Sequence, residues 1–301
     1  MLYRGAYPPR GIELQVIPSG MLPKMRGQYI WYDNPTPVSA CDLALEGGDA
    51  APYILGKWGL ATGIIYPASI DFPQGRKLMF KDRNGTGIQR WGLQAEQLFI
   101  VPKGDTIAMK NSLIELNRKA GVRGEYFAVD RTGVGAGIAD LIKHEWSQSI
   151  HDVNFSENPS KDKIMVEDTK TCYEEYERIN SELWFAMRSW GEFQYFLITP
   201  GFDMTKLGPQ LTGRKFRTSG GKTRVENKKD YMSRNNNESP NEADALTLFV
   251  HAARKGSGVV LSMLMQNSDV PGDSDDDWPS NYPGGVRLDP SNRTDFLDAV
   301  L

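Results

Sequence analysis

The chain is poor in several kinds of residue, and each shortage excludes a class of protein. Only two of its 301 residues are cysteine. Cys41 and Cys172 lie far apart and form no Cys-x-x-Cys pair, so neither a disulfide framework nor a thiolate zinc site is written into the chain. Both thiols are expected to be reduced and unbridged. Histidine is equally scarce, with three residues, and none is spaced to complete a zinc site. No apolar run is long enough to span a bilayer, and Met1 to Arg10 carry Pro8 and Pro9 but no apolar signal core. No membrane role is expected, and the expected location is cytoplasmic. The end of the chain, residues 257–301, contains no Lys and no Glu but eight Asp against two Arg, about −6. With a total of −3 this leaves roughly +3 on residues 1–256. Such a body can approach a polyanion, although so small a charge does not identify a nucleic-acid binder.

Apolar residues make up 40% and charged residues 24%, which predicts a folded globular chain. Residues 1–37 are punctuated by proline and read as an extended arm or the remnant of a linker; residues 38–256 read as one domain, and residues 257–301 as an acidic tail. The pattern predicts antiparallel strands at Val38 to Leu45, Tyr53 to Trp58 and Gly63 to Ile70, with the turn cluster Glu46-Gly47-Gly48-Asp49 after the first. A helix over Thr106 to Gly121 precedes a strand, Glu125 to Asp130. Glycines 133, 135 and 137 then lead into a helix from Ile138 to Trp146, and a further strand is expected at Ile150 to Phe155. A long helix is expected over Tyr173 to Trp190. Ser239-Pro240-Asn241-Glu242 reads as a capping box opening a last helix through Ala253.

Three acids fall where this order of elements can bring them together. Asp42 sits in an apolar strand, where a lone carboxylate is costly without a partner. Asp130 ends a second strand, and Asp244 lies near the start of the last helix. Read singly, each has an ordinary structural role available: a bulge acid, a turn cap, a group favouring the helix dipole. Together they would repel unless divalent cations neutralised them. Mg2+ or Mn2+ takes oxygen ligands and retains exchangeable waters, and two such ions suit phosphodiester hydrolysis. Competing motifs fail on spacing. Gly221-Lys222-Thr223 has Phe216 where a phosphate loop needs its first glycine, so no ATP site is expected. Gly133 to Gly137 is followed by Ile138 where a dinucleotide fingerprint needs a third glycine, and these glycines are read as allowing a tight turn and close helix packing. His144-Glu145 has Gln148 where a zinc protease needs its second histidine.

Taken in order, three segments resemble the nuclease domain of phage large terminases. They are Ala40-Cys41-Asp42-Leu43-Ala44-Leu45-Glu46-Gly47-Gly48-Asp49, then Val129-Asp130-Arg131-Thr132-Gly133-Val134-Gly135, and Lys228-Lys229-Asp230-Tyr231-Met232-Ser233-Arg234 followed by Ser239-Pro240-Asn241-Glu242-Ala243-Asp244-Ala245-Leu246. The resemblance spans about residues 38–254, and Tyr176 to Trp190 is similar to the helix preceding the family's last acidic motif. It implies an α/β ribonuclease-H-like mixed sheet, three antiparallel strands then parallel additions, flanked by helices. It also implies an endonuclease that cuts double-stranded concatemeric viral DNA with two Mg2+ or Mn2+ ions. Asp42, Asp130 and Asp244 would be metal ligands, and Lys228 would contact phosphate or steady an acid. Lys229 and Arg234 are candidates for DNA contact, and Asp49 for a supporting role or for closing its turn. Asn227 stands where family members often show serine. The expected partners are DNA, an ATPase domain or subunit, the small terminase subunit and the portal protein, in the cytoplasm of an infected host. Competing readings are another ribonuclease-H-like enzyme, such as a junction resolvase or integrase, and a non-catalytic assembly or DNA-binding module.

Overall fold

Apolar alternation builds a mixed sheet whose two faces are both covered by helices. In the computed structural model, which describes residues 14–43, 51–68, 74–102, 104–133, 135–165 and 167–257, the strands are β1 (Leu14–Gln15), β2 (Gln28–Trp31), β3 (Thr36–Cys41), β4 (Ala51–Tyr66), β5 (Arg76–Met79), β6 (Arg90–Val101), β7 (Phe127–Asp130), β8 (His151–Val153), β9 (Phe196–Ile198), β10 (Lys215–Ser219) and β11 (Lys222–Val225). The helices are α1 (Thr106–Ala120), α2 (Gly135–Glu145), α3 (Cys172–Glu175), α4 (Ile179–Glu192), α5 (Met204–Gly213), α6 (Lys228–Arg234) and α7 (Asn241–Gly256). The main sheet runs β8-β7-β3-β4-β6-β9, with β2 and β5 paired to the far half of β4. β3, β4 and β6 are antiparallel, whereas β7, β8 and β9 join in parallel. This is the expected class of sheet. A small antiparallel sheet, β1-β10-β11, stands beside it.

Side chains on a strand alternate between faces, so the register assigns the helices. Ser39 and Tyr53 both donate to Asn117 of α1, while Gly56, opposite Val38, lies under Phe249 of α7. α1 and its neighbour α2 therefore cover one face and α7 the other, with α4 stacked on α7. Residues Asn241 to Ala253 of α7 are all buried. Trp58 of β4 is stacked between Trp91 of β6 and Trp190 of α4, at ring separations of 5.2 and 5.3 Å.

Four details differ from expectation. The strands expected at Tyr53 to Trp58 and Gly63 to Ile70 are one continuous β4, and the third antiparallel strand is β6. Glycines inside β4 permit close approach: a Cβ on Gly56 would stand 1.9 Å from the Gln94 carbonyl oxygen, and one on Gly63 2.3 Å from that of Leu78. The long helix expected from Tyr173 is divided into α3 and α4, because Tyr176 is extended and bridges Thr223 of β11. The capping box at Ser239 does not form. The Ser239 hydroxyl donates to Asn241 and Glu242 pairs with Lys206, while the buried Gln210 side-chain oxygen of α5 accepts the backbone N–H groups of Glu242 and Ala243, each at 3.1 Å. Finally, residues 14–37, expected to be an arm, are built into the same core: Val16, Ile17 and Met25 are fully buried, and β2 pairs with β4. The turn from β7 into α2 matches its reading. Gly133 has φ +62°, and a Cβ on Gly135 would meet the Asp130 carbonyl oxygen at 2.4 Å.

α7 also buries His251, whose ring stands edge-on to that of His151 in β8 at 5.8 Å. Burial holds His251 well below the usual histidine range, helped by Arg254, His151 and Lys255; burial likewise lowers His151, against a hydrogen bond to the Glu125 carbonyl and the charges of Asp152 and Glu125. Both therefore bind protons more readily when unfolded, so their share of stability is intact above pH ~6.5 and drains as pH falls toward the depressed folded values. Urea unfolding between pH 7 and 5 is expected to show wild type losing stability relative to His251→Phe, at up to about 1.4 kcal/mol per pH unit. Parallel pH dependences would refute this.

Candidate functional site

Parallel pairing of β3 with β7 aligns Cys41 with Val129. The residues that follow, Asp42 just past the end of β3 and Asp130 at the end of β7, therefore fall side by side on one face. By alternation this is the α7 face, and Asp244 comes from the first turn of α7. Sheet register and helix placement thus bring the three predicted acids to one end of the sheet. Their exposures are 0%, 6% and 3%.

The three acids are held differently. Both Asp42 side-chain oxygens are buried without a hydrogen-bond partner. Its carboxyl is near enough to those of Asp130 and Asp244 for each to act on it electrostatically. Two carboxylates are both acceptors, so only a shared proton or a cation can join them. Lys228 Nζ is 3.9 Å from Asp42 Oδ2, within ion-pair range but too far for a hydrogen bond. Asp130 accepts the backbone N–H of Thr132 at 2.8 Å. Asp244 Oδ1 accepts the indole N–H of the buried Trp184 at 3.0 Å and lies 3.7 Å from an Arg214 nitrogen. Among the described residues no three His, Cys, Asp or Glu groups stand together as a ready metal cage. The arrangement is Asp42 beside Asp130, with Asp244 braced by Trp184 and Arg214.

Burial raises the Asp42 carboxyl well above the usual range; Lys228 opposes this, whereas Asp244 and Asp130 reinforce it. Burial also raises Asp130, against its hydrogen bonds to Thr132 and the charge of Lys228 and with the charge of Asp244. Crowded buried acids with orphaned oxygens are the environment that a hard divalent cation relieves, so the donor set suits Mg2+ or Mn2+.

Lys228 opens α6 and is 37% exposed, so it can meet both Asp42 and a ligand outside. Asn227 caps that helix by accepting the Asp230 N–H at 2.9 Å, the local task a serine there would perform. Lys229 is exposed. Arg234 is taken up by Glu226, with contacts of 2.5 and 2.7 Å, and by the Gly213 carbonyl. Asp49 lies outside the described residues. Neither Arg214 nor Trp184 was marked as a site residue by the sequence pattern. The string Gly220-Gly221-Lys222 is a hairpin turn, with φ +60° and +79° at the glycines, not a loop opening a helix. Glu145 pairs with Lys110 on α1.

No protein-family model and no curated protein sequence matches the chain. Solved structures do. The nuclease domain of the large terminase subunit gp2 of bacterial virus Sf6 superposes with a TM-score of 0.56 at 18% identity, over 79% of this chain and 99% of that one. The fold is that of a terminase nuclease domain. A mutant of the Sf6 protein with calcium gives 0.55 at 17% identity, over 79% of this chain and 99% of that one. A mutant Sf6 nuclease domain with manganese and beta-thujaplicinol gives 0.53 at 16%, with the same coverages. Likeness at this identity is one of architecture, and the ribonuclease-H-like class expected from the sequence is the one observed. Among the described residues no helix is long and apolar enough to cross a membrane.

The raised carboxyls predict a stability effect. A folded-state value above the unfolded one contributes stability below pH ~4 that is lost as pH rises toward the folded value, so at neutral pH burying the pair opposes folding. Asp42→Asn is expected to stabilise the metal-free protein at pH 7 by about 1 kcal/mol or more, roughly 2–4 °C in Tm per kcal/mol. Calorimetry showing an unchanged or lower Tm would count against a strained acid pair.

Proposed function

We propose that the chain is a divalent-metal-dependent endonuclease that cuts double-stranded, concatemeric DNA during viral genome packaging. The observation that carries this reading is Asp42. It is a fully buried carboxylate with both oxygens orphaned, set against Asp130 and near Lys228 at the end of a sheet with the terminase nuclease fold. A buried charge so placed is poor design for stability alone. Asp42, Asp130 and Asp244 would hold Mg2+ or Mn2+ in a two-ion arrangement. Bound there, the ions would activate a water and stabilise the leaving oxygen of a phosphodiester.

The protein's own groups supply the rest. Asp42 and Asp130 would offer neighbouring carboxyls, because the paired ends of β3 and β7 set them side by side. Asp244 adds an acid from a helix buried over most of its length, where the positive end of the helix dipole favours its charge. Lys228 offsets the negative charge of Asp42 and, being partly exposed, offers an ammonium to a phosphate oxygen. Lys229 beside it would contact the DNA backbone without reading bases. Arg234 would do so only by exchanging Glu226 for phosphate. Expected partners are the terminase ATPase domain or subunit, the small subunit and the portal protein, in the cytoplasm of the infected cell. The acidic residues 257–301 are a candidate docking segment.

Supercoiled plasmid incubated with the protein in Mn2+ or Mg2+ is expected to be nicked and then linearised, and EDTA to stop the reaction. Asp42→Asn, Asp130→Asn and Asp244→Asn should each lower the rate at least a hundredfold, and Lys228→Ala about 10–100-fold. A folded wild-type protein that leaves plasmid intact in both metals overturns the proposal.

A further inference from the structure

Arg214 places a cation where a cation is costly. It follows α5 directly and leads into β10, its side chain is 2% exposed, and its Nε and one terminal nitrogen, Nη1, have no hydrogen-bond partner. The guanidinium lies over the ring of Trp184 at 5.3 Å and that of Tyr231 at 5.6 Å. The acid within ion-pair range is Asp244, whose Oδ1 stands 3.7 Å from Nη2 and also accepts the Trp184 indole N–H. A buried arginine kept for stability normally satisfies its fork of donors, and replacing a poorly satisfied one with an apolar residue of similar volume is often neutral or stabilising. Here the aromatic rings fix the plane of the guanidinium while two of its three nitrogens donate to nothing.

We propose that Arg214 and Trp184 are positioning residues that pin Asp244 through Oδ1 and reserve its Oδ2 for the divalent cation. This rests on the nuclease reading of the site. A carboxylate free to rotate presents either oxygen, whereas one held at Oδ1 by an indole N–H and a guanidinium keeps a single orientation toward Asp42 and Asp130. Tyr231, stacked on the same guanidinium, belongs to α6, the helix that begins with Lys228. One side chain therefore ties the helix bearing Asp244 to the helix bearing Lys228. Partners that orient a metal-binding side chain without touching the metal typically account for about 10–100-fold in metal affinity or activity.

The test compares wild type, Arg214→Met, Arg214→Lys and Trp184→Phe by calorimetric Mn2+ binding and by plasmid cleavage across a Mn2+ titration. Arg214→Met is expected to weaken binding and raise the half-saturating Mn2+ concentration about 10–100-fold, with Arg214→Lys recovering part of the loss. Trp184→Phe, which removes one hydrogen bond, should move the same readouts in the same direction by a smaller factor. A merely structural role would lower the folded fraction and leave the Mn2+ dependence of the folded protein unchanged; that result overturns the proposal. If Arg214→Met does not fold, Trp184→Phe carries the same test, and an unchanged Mn2+ response in it overturns the proposal. Wild type that neither binds Mn2+ nor cuts DNA overturns the nuclease reading and this proposal with it, whereas active wild type with unaltered variants overturns this proposal alone.

Discussion

Parallel pairing of β3 with β7 is the constraint on which the site depends. A slip of one residue would turn Asp42 or Asp130 to the opposite face and separate the pair. β3 and its antiparallel neighbour β4 are fixed from both sides. Ser39 and Tyr53 converge on Asn117 beneath one face, and Gly56 admits Phe249 against the other. At the end of β7, Gly135 lets the first turn of α2 close on the Asp130 backbone, where a side chain would collide. Apolar packing and a few buried polar contacts thus set two acids side by side out of water.

The force opposing that arrangement is desolvation. Asp42 has no donor to satisfy it, and Lys228 reaches it only at ion-pair distance. Asp244 is better served by the helix terminus, Trp184 and Arg214. The site is therefore graded, with one strained acid, one partly satisfied by Thr132 and one braced. The fold tolerates the strain because the elements carrying it are among the most deeply buried in the molecule.

Much of this was legible in the amino-acid pattern. Asp42, Asp130 and Asp244 stood out because each interrupts or ends an apolar element with clear periodicity, and the turn after Asp130 was visible in its glycines. β6 was not legible, since Gln94, Glu96 and Gln97 disguise a strand whose buried Gln94 is satisfied by the backbone of Gly27 and Tyr29. The start of α7 was misread for a similar reason: its cap is Gln210, about thirty residues earlier in the chain, and no local motif reports a partner that only tertiary packing supplies. Arg214 lies in a stretch without periodicity, so nothing in its neighbours announced burial.

β4 runs past the main core into a second, smaller apolar cluster formed by Tyr29, Ala61, Ile64, Phe80 and Leu197. Its near half is clasped between β3 and β6 beside the acids, whereas its far half carries β2 and β5. A single ribbon therefore crosses two apolar clusters of unequal size. Amide hydrogens at its far end, backed by the smaller cluster, are expected to exchange sooner than those beside the acids.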